Sequence, residues 1–124
     1  GSDIDPRMVE GSRSNLEALD LDARLAVSDV AEAATGLDAP PDAIVTDPPY
    51  GRSTSLHGGD GEVVVQRLFE MAAACLPPGS PLVVCLPSEA MLPGPEDGFR
   101  AVSVHSMKVH RSLTRHVCSL VREF

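Results

Sequence analysis

Apolar positions in this chain fall into short runs and spaced stripes, set apart by clusters of glycine, proline and acidic residues. Leu25-Ala26-Val27 predicts a short strand that ends at Ser28-Asp29-Val30. Ala43-Ile44-Val45-Thr46 is a continuous run, which predicts a strand buried on both faces, and Pro81-Leu82-Val83-Val84-Cys85-Leu86 predicts another buried strand. The opening Gly1-Ser2-Asp3-Ile4-Asp5 looks like the end of a further strand. Pro6 then suits the first turn of a helix with Asp5 as N-cap, running to about Leu19 on a sparse apolar face of Val9, Leu16 and Leu19. Val64, Leu68, Ala72, Cys75 and Leu76 recur at helical spacing, and Pro77-Pro78-Gly79 stops that helix. Residues 31–41 read as loop or short helix, and 88–98 as a punctuated connection with room for one helical turn. Phe99 to Val109 and His116 to Glu123 read as a closing antiparallel pair. Strands alternating with helices and then a hairpin describe an α/β fold, a mostly parallel sheet with one reversed strand near the C-terminus.

Composition narrows the class. A chain of 124 residues with 43% hydrophobic content is one domain, 1–124, with a modest core. Its net charge of −8 argues against a grip on nucleic acid by bulk electrostatics alone, so any such contact is local or supplied by another part of a longer protein. No apolar run approaches the roughly 18 residues that span a bilayer, and no signal peptide is visible, so a soluble cytoplasmic chain is expected. Cys75, Cys85 and Cys118 form no Cys-x-x-Cys pair, and His57, His105, His110 and His116 show no zinc-ligand spacing. Reduced thiols and no metal site are the expectation.

The candidate chemistry lies in Asp47-Pro48-Pro49-Tyr50, directly after the 43–46 strand. Ligands of open α/β sheets bind at strand C-terminal ends. An amino group conjugated to a base or amide is a poor nucleophile with two N–H donors. Asp47 accepts one, and a turn carbonyl, best placed at Pro48, accepts the other. Both also stabilise the positive charge that develops as nitrogen attacks a sulfonium methyl. The prolines fix their own φ and push Asp47 and Pro48 to extended conformations, so the acceptors are aimed in advance. Tyr50 is suited to stack on a flat substrate. Asp3 and Asp29, at the ends of the two preceding strands, suit a ribose and an adenine amino group, with Ile4 as an apolar surface for the ring; Asp29 equally suits a turn, and Asp5 a helix cap. The small polar loop from Gly51 to Gly61 reads either as an ordinary exposed loop or as a cover over a flipped base.

Gly1 to Leu16, Ser28-Asp29-Val30 and Asp42 to Gly51 resemble consecutive motifs of Rossmann-like S-adenosylmethionine-dependent methyltransferases. Val109 to His116 is similar to the C-terminal segment of archaeal tRNA guanosine-10 N2-methyltransferases. The likeness implies S-adenosyl-L-methionine as cofactor, held by Asp3, Ile4, Asp29, Val30 and Asp47. It places the target guanine amino group at Asp47, Pro48, Pro49 and Tyr50, with tRNA as the partner. It also implies that the family's first strand, its glycine-rich loop and an RNA-binding THUMP domain all lie outside this chain, which then reads as the C-terminal part of a longer enzyme. Alternatives within the same chemistry are amino groups of DNA, rRNA or a protein glutamine, although glutamine enzymes usually carry Asn where Asp47 stands. A non-catalytic scaffold of the same fold is the remaining alternative. His110, Arg111 and Arg115 suit a phosphate or the substrate pocket, and equally a solvated turn.

Overall fold

The computed structural model describes residues 1–49 and 61–124. Strand β1 (Ser2–Asp3) is followed by helix α1 (Pro6–Ala18), β2 (Ala26–Val27), a 3-10 turn at Val30–Glu32 and β3 (Ile44–Thr46). Then come α2 (Gly61–Cys75), β4 (Pro81–Leu86), 3-10 turns at Glu89–Met91 and Pro95–Asp97, β5 (Phe99–His110) and β6 (Leu113–Arg122). The expected order of elements is present. Strand β6 starts earlier than the expected His116, because a two-residue turn at Arg111-Ser112 lets His110 pair directly with Leu113.

Asp5 caps α1 as expected: its backbone is extended and its side chain accepts a hydrogen bond from Arg7 N at 2.9 Å. The expected apolar face of α1 shrinks to a single buried residue, Val9, while Leu19 stays 68% exposed. The reason is the partner: α1 packs on β1 and β2, each two residues long, which offer too little surface to bury a stripe.

Helix α2 buries Val65, Leu68, Phe69 and Ala72, and Leu76 continues the seam. This stripe is rotated from the expected one, since Val64 is only half-buried. Three consecutive valines, Val63-Val64-Val65, leave the phase open. Contact between the rings of Phe69 and Phe99, with centroids 6.1 Å apart, belongs to the phase that the fold adopts. Against this seam pack Leu82, Val84 and Leu86 of β4, Cys118 and Leu120 of β6, and Phe99 of β5.

The larger sheet has the order β3-β4-β6-β5, with β3 parallel to β4 and β6 antiparallel to both neighbours. Strand β6 is thus the one reversed strand. Strands β1 and β2 form a separate parallel pair. Among the described residues, β1 and β3 each pair along one edge only. The expectation that β3 is buried on both faces is overturned. Ile44 packs against the core, but Val45 is 76% exposed, because the pleat turns it onto the face that α2 does not cover.

Arg122 ties the base of the hairpin to the helix. Its Nη1 donates to Gly98 O at 2.8 Å and its Nη2 to Ala73 O at 3.1 Å. Gly98 has φ 81°, and a Cβ there would collide with the Arg122 guanidinium, so the position requires glycine for two reasons.

Candidate active site

Because β3 and β4 run parallel and β6 runs against them, the C-terminal ends of β3 and β4 share one sheet edge with the start of β6. Asp47 follows Thr46 at this edge. Thr46 pairs with Val84, so the pleat places Asp47 beside Cys85, on the open face with Val45 and Val83. Pro48 is buried while Asp47 and Pro49 are exposed, so the turn is anchored by a proline and presents the carboxylate outward. Tyr50 and the loop through Asp60 lie outside the described residues, so the stacking expected of Tyr50 and the cover expected of the loop fall there too.

Arg115 of β6 reaches the same place: its Nη1 lies 3.4 Å from Asp47 Oδ2, with side chains 40% and 46% exposed. The carboxylate is therefore neither turned inward nor sealed. An ion pair this exposed contributes about 0–1 kcal/mol at most, so its use is orientation rather than stability. A carboxylate offers about four lone-pair sites on two oxygens, so Arg115 on Oδ2 leaves Oδ1 open to an N–H donor. Cys85 reports the same cluster: burial pushes its thiol up, the charge of Asp47 adds to this, and Arg115 opposes it. Sequence reasoning singled out Arg115 without its partner. The signal was available only through register, since Arg115 lies one residue beyond the His116–Leu86 rung and on the Asp47 face.

A second polar group lies on the other face. His116 Nδ1 is 2.8 Å from Ser106 Oγ and 3.6 Å from Glu89 Oε1. Both partners approach the same ring nitrogen, whereas a nucleophile–base–acid relay needs them on opposite nitrogens. This trio is not arranged for acyl transfer.

The three candidate cofactor carboxylates lie on separate elements. Asp3 Oδ1 accepts from Asp5 N at 2.8 Å, and Ile4 beside it is 41% exposed. Asp29 Oδ1 accepts from Ala31 N at 2.9 Å, as a turn residue does, and its Oδ2 lies 3.9 Å from Arg67 of α2. Val30 packs against the core. Asp3 belongs to the small sheet with Ile4 directly after it, Asp47 directly follows β3 of the large one, and Asp29 and Val30 begin the 3-10 turn that packs against α2. A groove of about 500 Å³ lies elsewhere, between α2 and the turns after β4, lined by Val65, Phe69, Met91 and Leu92 among others and by none of these carboxylates. It is a cleft between packed elements. Among the described residues no cluster of three or more His, Cys, Asp or Glu could hold a metal ion, and no helix is long and apolar enough to cross a membrane.

Known proteins resemble this chain in sequence and in fold. A protein from Methanothermobacter thermautotrophicus, tRNA (guanine(10)-N2)-dimethyltransferase, is 38% identical over 120 residues, covering 93% of this chain and 34% of that one. The crystal structure of TrmN from Thermus thermophilus superposes with a TM-score of 0.76 at 21% identity, over 98% of this chain and 35% of that chain. Magnesium protoporphyrin IX methyltransferase (ChlM) from Synechocystis PCC 6803, solved with bound SAM, superposes with a TM-score of 0.67 at 16% identity, over 99% of this chain and 58% of that chain. The two structural likenesses establish the Rossmann-like methyltransferase fold. The chain spans about a third of the length of the Methanothermobacter relative. With residues 1–117 matched by the family described as RMKL-like, methyltransferase domain, the chain belongs to that family.

Proposed function

We propose that this domain is the methyl-transferring part of an S-adenosyl-L-methionine-dependent enzyme that methylates N2 of a tRNA guanosine, at position 10, in the cytoplasm. The observation that carries the reading is Asp47: a half-exposed carboxylate at the end of β3, anchored by buried Pro48 and oriented by Arg115. The 38% identical relative is named for this reaction, and the family is one of methyltransferases.

When bound, the cofactor supplies an electrophilic methyl on a sulfonium. The chain's own residues do the rest. Asp47 Oδ1 accepts one N–H of the guanine amino group and a carbonyl at Pro48 the other, which pulls the nitrogen toward a tetrahedral shape for in-line attack. Arg115 acts as an orienting residue, since its own charge opposes the positive charge growing on nitrogen. Tyr50 stacks on the flipped base, which offsets part of the few kcal/mol that unstacking costs. Asp3 suits the ribose hydroxyls, because among the described residues its Oδ2 carries no internal hydrogen bond. Asp29 and the exposed Ile4 suit the adenine end.

The open edges of β1 and β3 suit a further strand from a longer chain, which would join the two sheets and complete the cofactor site. An RNA-binding domain in that longer chain fits the acidic balance of this one.

The test is methyl transfer from labelled cofactor to unmodified tRNA carrying guanosine at position 10. Asp47→Ala is expected to cost about 10²–10³ in kcat. Undiminished transfer removes Asp47 from the mechanism. Calorimetry with the cofactor on this chain and on an N-terminally extended one separates a fragment from a scaffold. Binding by the extended protein supports the enzyme, and failure of both favours the non-catalytic reading.

A further inference from the structure

The charge of this chain is sharply segregated. Between Phe99 and Arg122, the β5–β6 hairpin carries Arg100, Lys108, Arg111, Arg115 and Arg122, half of the ten lysines and arginines, and none of the eighteen aspartates and glutamates. His105, His110 and His116, three of the four histidines, lie there too. An acidic domain thus carries half of its cations on one hairpin that holds no carboxylate side chain.

That element overhangs the sheet. Strand β4 ends at the Leu86–His116 rung, yet β5 and β6 continue to pair through Met107–Arg115, Lys108–Thr114 and His110–Leu113. Three further residues at about 3.3 Å each carry the hairpin about 10 Å past its neighbour, before the turn itself. The overhang is at the edge where Asp47 stands. Three of the five cations are engaged inside the fold: Arg100 with Glu123, Arg122 with backbone carbonyls and Arg115 with Asp47. Lys108 and Arg111, at the tip, are exposed and pair with no carboxylate among the described residues. The turn between them and β6 is braced by His110, whose Nδ1 lies 3.4 Å from Ser112 N and 3.3 Å from Ser112 Oγ.

We propose that the overhanging tip of the β5–β6 hairpin, through Lys108 and Arg111, is a phosphate-binding arm that grips the RNA backbone beside the nucleoside presented to Asp47. The inference rests on reading the domain as an RNA methyltransferase and names the surface by which it meets its substrate. The partner is RNA rather than an acidic protein because the arm flanks the reacting group. Whatever it holds is continuous with the substrate, and the groups continuous with a nucleoside are phosphates. A local pair of cations also resolves how a chain of net charge −8 approaches a polyanion at all.

The experiment uses the protein that carries this domain and unmodified tRNA as probe. Binding is measured over a range of salt, with tRNA KM and kcat for methyl transfer. Lys108→Gln/Arg111→Gln is expected to flatten the dependence of log Kd on log salt by about 2 and to weaken binding at least ten-fold at low salt. The tRNA KM rises by the same factor while kcat holds, since the arm touches no reacting atom. Unchanged cofactor binding by calorimetry shows that the variant is folded. Arg13→Gln/Arg24→Gln, on α1 and just before β2, makes the same charge change and is expected to leave the slope alone. Equal losses in both pairs, an unchanged slope in the hairpin variant, or no binding of RNA by the wild type would each overturn the proposal. Methylation with a KM insensitive to the hairpin sinks the arm and keeps the enzyme. Hairpin-dependent binding without methylation of guanosine keeps the arm and sinks the enzyme reading.

Discussion

The two halves of this molecule bury very different amounts of themselves. In β1-α1-β2 the strands are two residues long, Val9 is the one buried apolar residue, and Leu19, Leu21 and Val27 are more than half exposed. In the half built from α2 and β3 to β6, Leu68, Ala72, Leu82, Val84, Leu86, Phe99, Cys118 and Leu120 are essentially inaccessible. The residues suited to the cofactor, Asp3 and Ile4, sit on the thin half. The residue suited to the substrate, Asp47, sits on the thick one. The candidate substrate residue therefore shares a scaffold with the core, while the turn at Val30–Glu32 meets that core through Val30 and through Asp29 beside Arg67. A separate two-strand unit with so little burial is marginal by itself.

The largest effect that tests this contrast is truncation of the core. Leu120→Ala is expected to cost about 2–5 kcal/mol in urea unfolding, whereas Leu19→Ala on α1 stays within about 0.5 kcal/mol. Similar costs at the two positions would erase the distinction between the halves. Next comes the tie between α2 and the hairpin. Arg122→Met keeps the packing on Phe99 and removes both carbonyl contacts, with an expected loss of about 1–3 kcal/mol by the same measurement. No loss would mean that the thick half is held by apolar packing alone.

The smallest effect sharpens the description of the Asp47 edge. The charge of Asp47 raises the Cys85 thiol and that of Arg115 lowers it, so Asp47→Asn shifts its alkylation profile to lower pH and Arg115→Met to higher pH. At a fixed pH below the thiol's midpoint, the first variant is alkylated faster than wild type and the second slower. Peptide-resolved mass spectrometry distinguishes Cys85 from Cys75 and from the buried Cys118. The reverse order would place Cys85 away from the ion pair.

Much of the fold was legible because local chemistry wrote it. Asp5-Pro6 starts α1, Pro77-Pro78-Gly79 ends α2, and the apolar run at 81–86 is a strand with Leu82, Val84 and Leu86 in the core. Legibility failed where the outcome depended on a neighbour. The valines at 63–65 fit two helix phases, and packing against Phe99 belongs to the one adopted. The run at 43–46 looks doubly buried, yet a strand with one ladder partner and one covered face leaves Val45 in solvent. In the candidate site, the Asp47-Pro48 turn at a strand end was readable from composition and order alone, whereas its contact with Arg115 spans 68 positions of sequence and depends on register.

The amino-acid sequence by itself determined the order of strands and helices, the caps and stops between them, and an acceptor-bearing turn suited to an amino group. These follow from interactions within a few residues, where φ restrictions and apolar spacing act directly. Only the tertiary structure decided that the strands divide into two sheets, that Arg115 stands against Asp47, and that Lys108 and Arg111 stand on an arm overhanging that edge. Those depend on which segments lie side by side, a choice made by burial and ladder pairing across the whole chain.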